Sequence, residues 1–284
     1  MKYPLVIFFV LITMGSSAQF SKHSLTTKTD SIYSKILKEN RMVWIHLPEK
    51  ASPDQRYPVI YVLDGDAQTF FILDALEKNA GRDAKFPQYI VIGIGNISSR
   101  ERDYTPTHIT SSSYMDAASL KNSGGGKQFI SFMEKELIPY VEAKYKVSQK
   151  RILVGHSLGG LAVIDVLLNH TGLFNQYIAI DPSLWWDNSK LLQQAQTTLA
   201  KNNFKDVTLY LGLSNSLSTR ESLAKMKSSN GEKYGLVRPG LLLTDHLDSN
   251  RQNNLRYKWK YYNNHNHASV FTPAVTEALQ FINQ

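Results

Sequence analysis

The chain's most chemically loaded pattern is Gly155-His156-Ser157-Leu158-Gly159-Gly160. A short apolar run, Ile152 to Val154, leads into it, and an apolar helical pattern from Leu161 to Leu168 follows. Gly-x-Ser-x-Gly arises readily by chance, but strand, sharp turn and helix in that order form the context of a nucleophile elbow. A serine at so tight a turn takes strained backbone geometry, and glycines on either side keep strand and helix from colliding. Ser157 Oγ then stands clear of a sheet. The Leu158 N–H, at a helix start, points to where a negatively charged oxygen would form.

A serine hydroxyl needs an imidazole to take its proton and return it to the leaving alcohol. The turn Tyr262-Asn263-Asn264-His265-Asn266-His267 follows the last apolar strand pattern and precedes the last helical one. This is where the base stands when the order is serine, acid, histidine. Of its two histidines, His267, directly before Ala268-Ser269, is the expected base. His265 points away on the alternation of side chains. His156, beside the serine, is expected to pack under the turn.

The acid is less legible. A carboxylate is expected after the strand Val207 to Leu213, yet the sequence there runs Ser214-Asn215-Ser216-Leu217-Ser218-Thr219-Arg220-Glu221. Glu221 could reach back, Asp245 or Asp248 could swing in, or a neutral group such as Asn215 could orient the imidazole. The loop spacing favours the neutral partner, because Glu221 lies too far along to be placed by that turn. The second oxyanion donor is expected from Asp64-Gly65-Asp66, with the Asp66 main-chain N–H following the glycine.

These groups need an open sheet to carry them. Met42 to Leu47, Pro58 to Leu63, Tyr89 to Ile94, Tyr177 to Ile180, Val207 to Leu213 and Leu255 to Tyr262 read as strands, several apolar throughout. Helical periods lie at Thr69 to Leu76, Phe129 to Val141, Lys190 to Leu199 and Val270 to Ile282. The alternation predicts an α/β fold with a mostly parallel central sheet flanked by helices, and a helical cap from residues 214–254. Arg102 to Thr107 and Trp185-Trp186 fall in loops at the strand ends where ligands bind. Arg102 would hold an anionic group, and Trp185 and Trp186 would wall the pocket.

Residues 1–18 predict a secretory signal: Lys2, an apolar run from Pro4 to Met14, and small residues before cleavage after Ala18. Residues 19–284 form one domain, exported to a periplasmic or extracellular space. Zero cysteines exclude disulfides, thiolate metal sites and a cysteine nucleophile. The net charge of +8 is scattered, without the basic block of a nucleic-acid arm, and no second apolar segment of membrane-spanning length follows.

The order of these parts resembles the Putative esterase family of α/β-hydrolases, which includes esterase D and the enterochelin siderophore esterases. The matching residues are Tyr61 to Asp66, Arg102 to Thr107, Gly155 to Gly160, Asp181-Pro182-Ser183-Leu184-Trp185-Trp186 and His267 to Val270, in family order over nearly the whole domain. The resemblance implies an α/β-hydrolase fold and serine ester hydrolysis without a metal or organic cofactor. Its substrates would be siderophore lactones, or small-molecule or polysaccharide-linked acyl esters. An acyltransferase using the same Ser–His chemistry, or a binding protein with a weakened site, are the other readings of the same residues.

Overall fold

Side-chain alternation builds the sheet. Val59 and Tyr61 pack into the core on one face of their strand, and Ile60 and Val62 into the core on the other. A strand apolar on both faces is stable only when helices cover both, so it belongs in the middle of an α/β sheet. The computed structural model describes residues 27–284 apart from 49–50, 53, 97–99 and 218. The expected export signal over residues 1–18 lies outside the described residues.

The strands are β1 (Thr27–Ser34), β2 (Glu39–His46), β3 (Tyr57–Val62), β4 (Ile90–Ile94), β5 (Val147–His156), β6 (Gln176–Ile180), β7 (Thr208–Ser214) and β8 (Arg256–Tyr262). They stand in the order β1-β2-β4-β3-β5-β6-β7-β8. β2 is antiparallel to β1 and β4, and β4 through β8 run parallel. The helices are α1 (Gly65–Arg82), α2 (Arg100–Tyr104), α3 (Ala117–Leu120), α4 (Gly126–Phe132), α5 (Ile138–Lys144), α6 (Leu158–Asn169), α7 (Trp186–Lys201), α8 (Leu223–Ser228), α9 (Arg238–Ser249) and α10 (Phe271–Phe281). Residues of α1 and α10 join the core on one face, and those of α4, α6, α7 and α9 the core on the other. This is the α/β architecture that the sequence predicts.

Two elements differ from expectation, while the segment over residues 214–254 is helical as expected. β1 carries a polar sequence, TKTDSIYS, and buries little beyond Ile32 and Ser34, so as an edge strand it leaves no apolar signal. The helix expected over 129–141 is α4, a π-helical turn at Met133–Leu137, and α5. Pro139, near the junction, cannot donate to the carbonyl four residues back. Residues 214–254 fold into α8 and α9, with α9 packed on α7.

Candidate active site

The ends of β5 and β6 and the turn after β8 meet at one edge of the sheet, where successive loops bring distant side chains together. At the end of β5, Ser157 takes φ 60° and ψ −121° and heads α6. The surrounding glycines explain how so sharp a turn fits. A Cβ on Gly155 would lie 2.3 Å from the Gly159 carbonyl oxygen, and one on Gly160 would lie 3.0 Å from the Ile180 oxygen and Pro182 Cα. Leu158, first residue of α6, has an N–H with no partner inside the helix. Ser157 Oγ lies 3.4 Å from Ser183 Oγ, and the Ser183 N–H donates to the Ser157 carbonyl at 3.0 Å.

His267 and Asp181 face each other across this edge. His267 Nδ1 is 2.6 Å from Asp181 Oδ2. Asp181 follows β6 directly, with φ 43°, a left-handed conformation costly for a residue with a side chain. Its carboxylate also accepts from the Ser214 N–H at 2.9 Å and the Ser214 hydroxyl at 2.5 Å. Burial pushes its pKa up, but the bonds from His267 and Ser214 outweigh burial and hold the carboxyl below its usual range. With Nδ1 held by a carboxylate, the other ring nitrogen of His267 is left for proton transfer.

Ser157, Leu158, Asp181, Ser183 and His267 line a cleft of about 660 Å³, together with Arg100, Trp185 and apolar groups that include Met115 and Leu236. Arg100 forks onto Asp64, at 2.9 and 3.1 Å, and donates to the His156 carbonyl at 3.3 Å. Among the described residues no group of three or more His, Cys, Asp or Glu side chains is placed to hold a metal ion.

A family model described as Putative esterase matches residues 34–282. The chain belongs to the Putative esterase family. It is 29% identical over 259 residues to the ferri-bacillibactin esterase BesA of Bacillus subtilis, an alignment spanning 86% of this chain and 85% of that one. The structure is similar to an IroE-like serine hydrolase from Shewanella oneidensis, with TM-score 0.80 and 30% identity over 90% of this chain and 79% of the other. It is also similar to the BES protein from Bacillus cereus, with TM-score 0.75 and 25% identity over 99% of each chain. The esterase is therefore a carboxylic ester hydrolase of the serine type.

Against this site, several expected residues stand elsewhere. The carboxylate on His267 is Asp181, not Glu221. Glu221 is taken up by Lys233 at 2.7 Å, Tyr234 at 2.5 Å and Lys225 at 3.1 Å, which lower its pKa. Asp245 and Asp248 are held by Lys227 and Arg251. Asn215 does not hold the imidazole either: its side chain donates to the Asn263 carbonyl, and its N–H to the His265 carbonyl. His265 sits against the Tyr262 ring, away from Asp181. Trp185 lines the cleft as expected. Trp186 is buried in the core, its ring N–H donating to the Thr107 carbonyl at 3.1 Å. Asp66, second residue of α1, is exposed and does not line the cleft by its side chain.

Arg102 is the second correction. It forks onto Glu39, at 2.7 and 3.0 Å, and donates to Asp103 at 2.7 Å. Asp103 is also held by Arg41, and Tyr104 accepts the Asp64 N–H through its hydroxyl. The Arg-Asp-Tyr motif is thus a brace for the Asp64 turn, and the guanidinium in the cleft is that of Arg100. Arg102→Gln is expected to lower unfolding free energy by about 1–3 kcal/mol, because it strips one partner from a buried carboxylate. Denaturant titration checks this. Arg100→Gln is expected to cost more in kcat/KM than Arg102→Gln, and the opposite ranking would place the cleft cation wrongly.

The missed residues had a signal. Asp181 directly follows an apolar strand and keeps the order serine, acid, histidine, one strand earlier than the usual place. The neutral turn Ser214-Asn215-Ser216, where an acid was expected, supplies the hydroxyl that steadies it.

Proposed function

We propose that this esterase hydrolyses the ester bonds of a multi-armed siderophore by a covalent acyl-serine route. The observation that carries the reading is the Asp181–His267 pair in the cleft that holds Ser157. Ser157 Oγ attacks the ester carbonyl while His267 takes its proton. The Leu158 N–H receives the developing negative charge, with the Asp66 main-chain N–H as the second donor. The proton passes to the departing alcohol, and water repeats the sequence to release the acid. Asp181 keeps His267 in the tautomer that accepts at the free nitrogen. The His267 side chain is 48% exposed, which supports water as the acyl acceptor.

The substrate class rests on the relatives and on the shape beside the site. BesA is a ferri-bacillibactin esterase. A second cleft, of about 700 Å³, shares Tyr114 and Trp185 with the first, and those two rings meet edge-on at 4.9 Å between centroids. Its walls are polar, from Ser111 to Ser113, Asn188, Asn230 and Arg238. One arm would be cut in the first cleft while a neighbouring arm lies across Trp185 into the second. The N-terminal pattern supports action outside the cytoplasm.

The test is hydrolysis of ferri-bacillibactin and enterobactin beside p-nitrophenyl butyrate, products read by chromatography. Trp185→Ala is expected to raise KM for the siderophores about tenfold, and for the small ester much less, since one packed aromatic contact is worth about 1–1.5 kcal/mol. Turnover of the small ester with none of either siderophore would keep the chemistry and remove the substrate class.

A further inference from the structure

His156, the variable residue inside the elbow, takes no direct part in the route above, yet it joins the elbow to the His267 turn and, through its carbonyl, to Arg100. Its Nε2 lies 2.9 Å from the His267 main-chain carbonyl oxygen. Its ring lies against the His267 ring, with centroids 4.5 Å apart and planes 33° apart, and its other neighbour is the Phe271 ring at 5.9 Å. Its own carbonyl accepts from Arg100, which holds Asp64 at the head of α1. A carbonyl oxygen can only accept, so His156 carries its proton on Nε2.

We infer that His156 is a positioning residue that fixes the His267 turn to the nucleophile elbow through its Nε2–H bond and ring contact. The need for such a tie follows from the geometry. His267 is on an exposed turn, and its side chain is otherwise held by Asp181 through one nitrogen. A single bond at Nδ1 leaves the ring free to swing about it. Contact along the ring face, with an anchor on the main chain of the same residue, removes that freedom. Misplacement of a reacting group by about 1 Å can cost about a hundredfold in rate.

The imidazole suits this place better than a cation would. Burial first, and then the neighbouring His267 and Arg100, push the His156 pKa down to about 4, while Asp181 and the His267 carbonyl pull the other way. A neutral donor can sit against His267 as that ring gains its proton, where a permanent positive charge would oppose the gain.

The inference rests on His267 as the base, and the experiment separates the two. The variants are His156→Phe, which keeps a ring but loses the donor, His156→Gln, whose amide N–H₂ reaches about as far as Nε2, and His156→Ala, which removes both ring and donor. His156→Phe is expected to lower kcat for p-nitrophenyl butyrate between about ten- and a hundredfold with KM nearly unchanged. It should slow fluorophosphonate labelling of Ser157 in parallel, and shift the low-field proton resonance of the His267–Asp181 bond. His156→Gln should recover most of the lost kcat. Wild-type kcat in folded His156→Phe overturns the inference, as does a folded His156→Gln that loses as much as His156→Ala. If His267→Ala itself keeps full activity, the assignment of the base fails instead. Should His156→Phe not fold, the Gln and Ala pair alone decides.

Discussion

Ser157→Ala is expected to remove ester turnover, by about six orders of magnitude in kcat, and to leave the fold and its melting transition in place. The two halves of this expectation have different causes. Ser157 owes its position to the backbone, with φ 60° set by the close approach of β5 and α6, and alanine occupies the same turn at no greater strain. Among the described residues the hydroxyl meets Ser183 Oγ, at a long 3.4 Å on the cleft wall, so its loss costs the fold little. The chemistry, by contrast, has no other nucleophile in the route. Mass spectrometry after treatment with a fluorophosphonate checks the assignment. The wild-type protein should carry the label on Ser157 and the alanine variant should carry none. Label on Ser183, its neighbour in the cleft, would move the nucleophile there. His267→Ala should cost nearly as much as Ser157→Ala, because groups acting as a unit are not additive. His265→Ala should cost far less.

The elbow was legible because its chemistry is written locally: glycines, serine, strand and helix occupy one short stretch. The central strands were legible for a similar reason, since a strand buried on both faces leaves an unbroken apolar run. What the sequence hid depends on contacts between distant segments. Arg102 and Arg100 are two residues apart in the short helix α2, and residue type alone cannot tell which of them enters the cleft. The answer lies in Glu39 on β2, which holds Arg102, and in Asp64 at the head of α1, which draws Arg100 toward Ser157. Trp185 and Trp186 divide in the same way. The Thr107 carbonyl captures the second ring, and the chain then passes through left-handed Asp187, Asn188 and Ser189. The edge strand β1 carries a weak pattern because it buries little beyond Ile32 and Ser34.

The acid was the hardest residue to read, and it yields the sharpest expectation: Asp181→Asn should lower kcat by about 10⁴ with KM little changed. The hydrogen bonds around Asp181 decide how an amide would sit. Oδ1 accepts the Ser214 N–H, which can only donate, so an amide nitrogen cannot take that place. The substituted side chain must therefore set its oxygen where Oδ1 stands and its nitrogen where Oδ2 stands. The Ser214 hydroxyl tolerates the exchange by rotating to accept, but His267 Nδ1 does not. Facing an N–H₂ donor, Nδ1 becomes the acceptor, and the ring proton moves to the nitrogen that must take the proton from Ser157. The base is then in the wrong tautomer, with the geometry intact. Loss of the negative charge adds to this, since a neutral oxygen steadies imidazolium less than a carboxylate does. Glu221→Gln and Asn215→Ala are the discriminating companions. Glu221 ties Lys225, Lys233 and Tyr234 together, and Asn215 meets the His267 turn at Asn263 and His265, so both changes should leave kcat within about threefold of wild type. Steady-state kinetics on p-nitrophenyl butyrate reads all three. A collapse in Glu221→Gln with Asp181→Asn near wild type would mean that His267 takes its orientation in solution from the carboxylate four residues before Lys225.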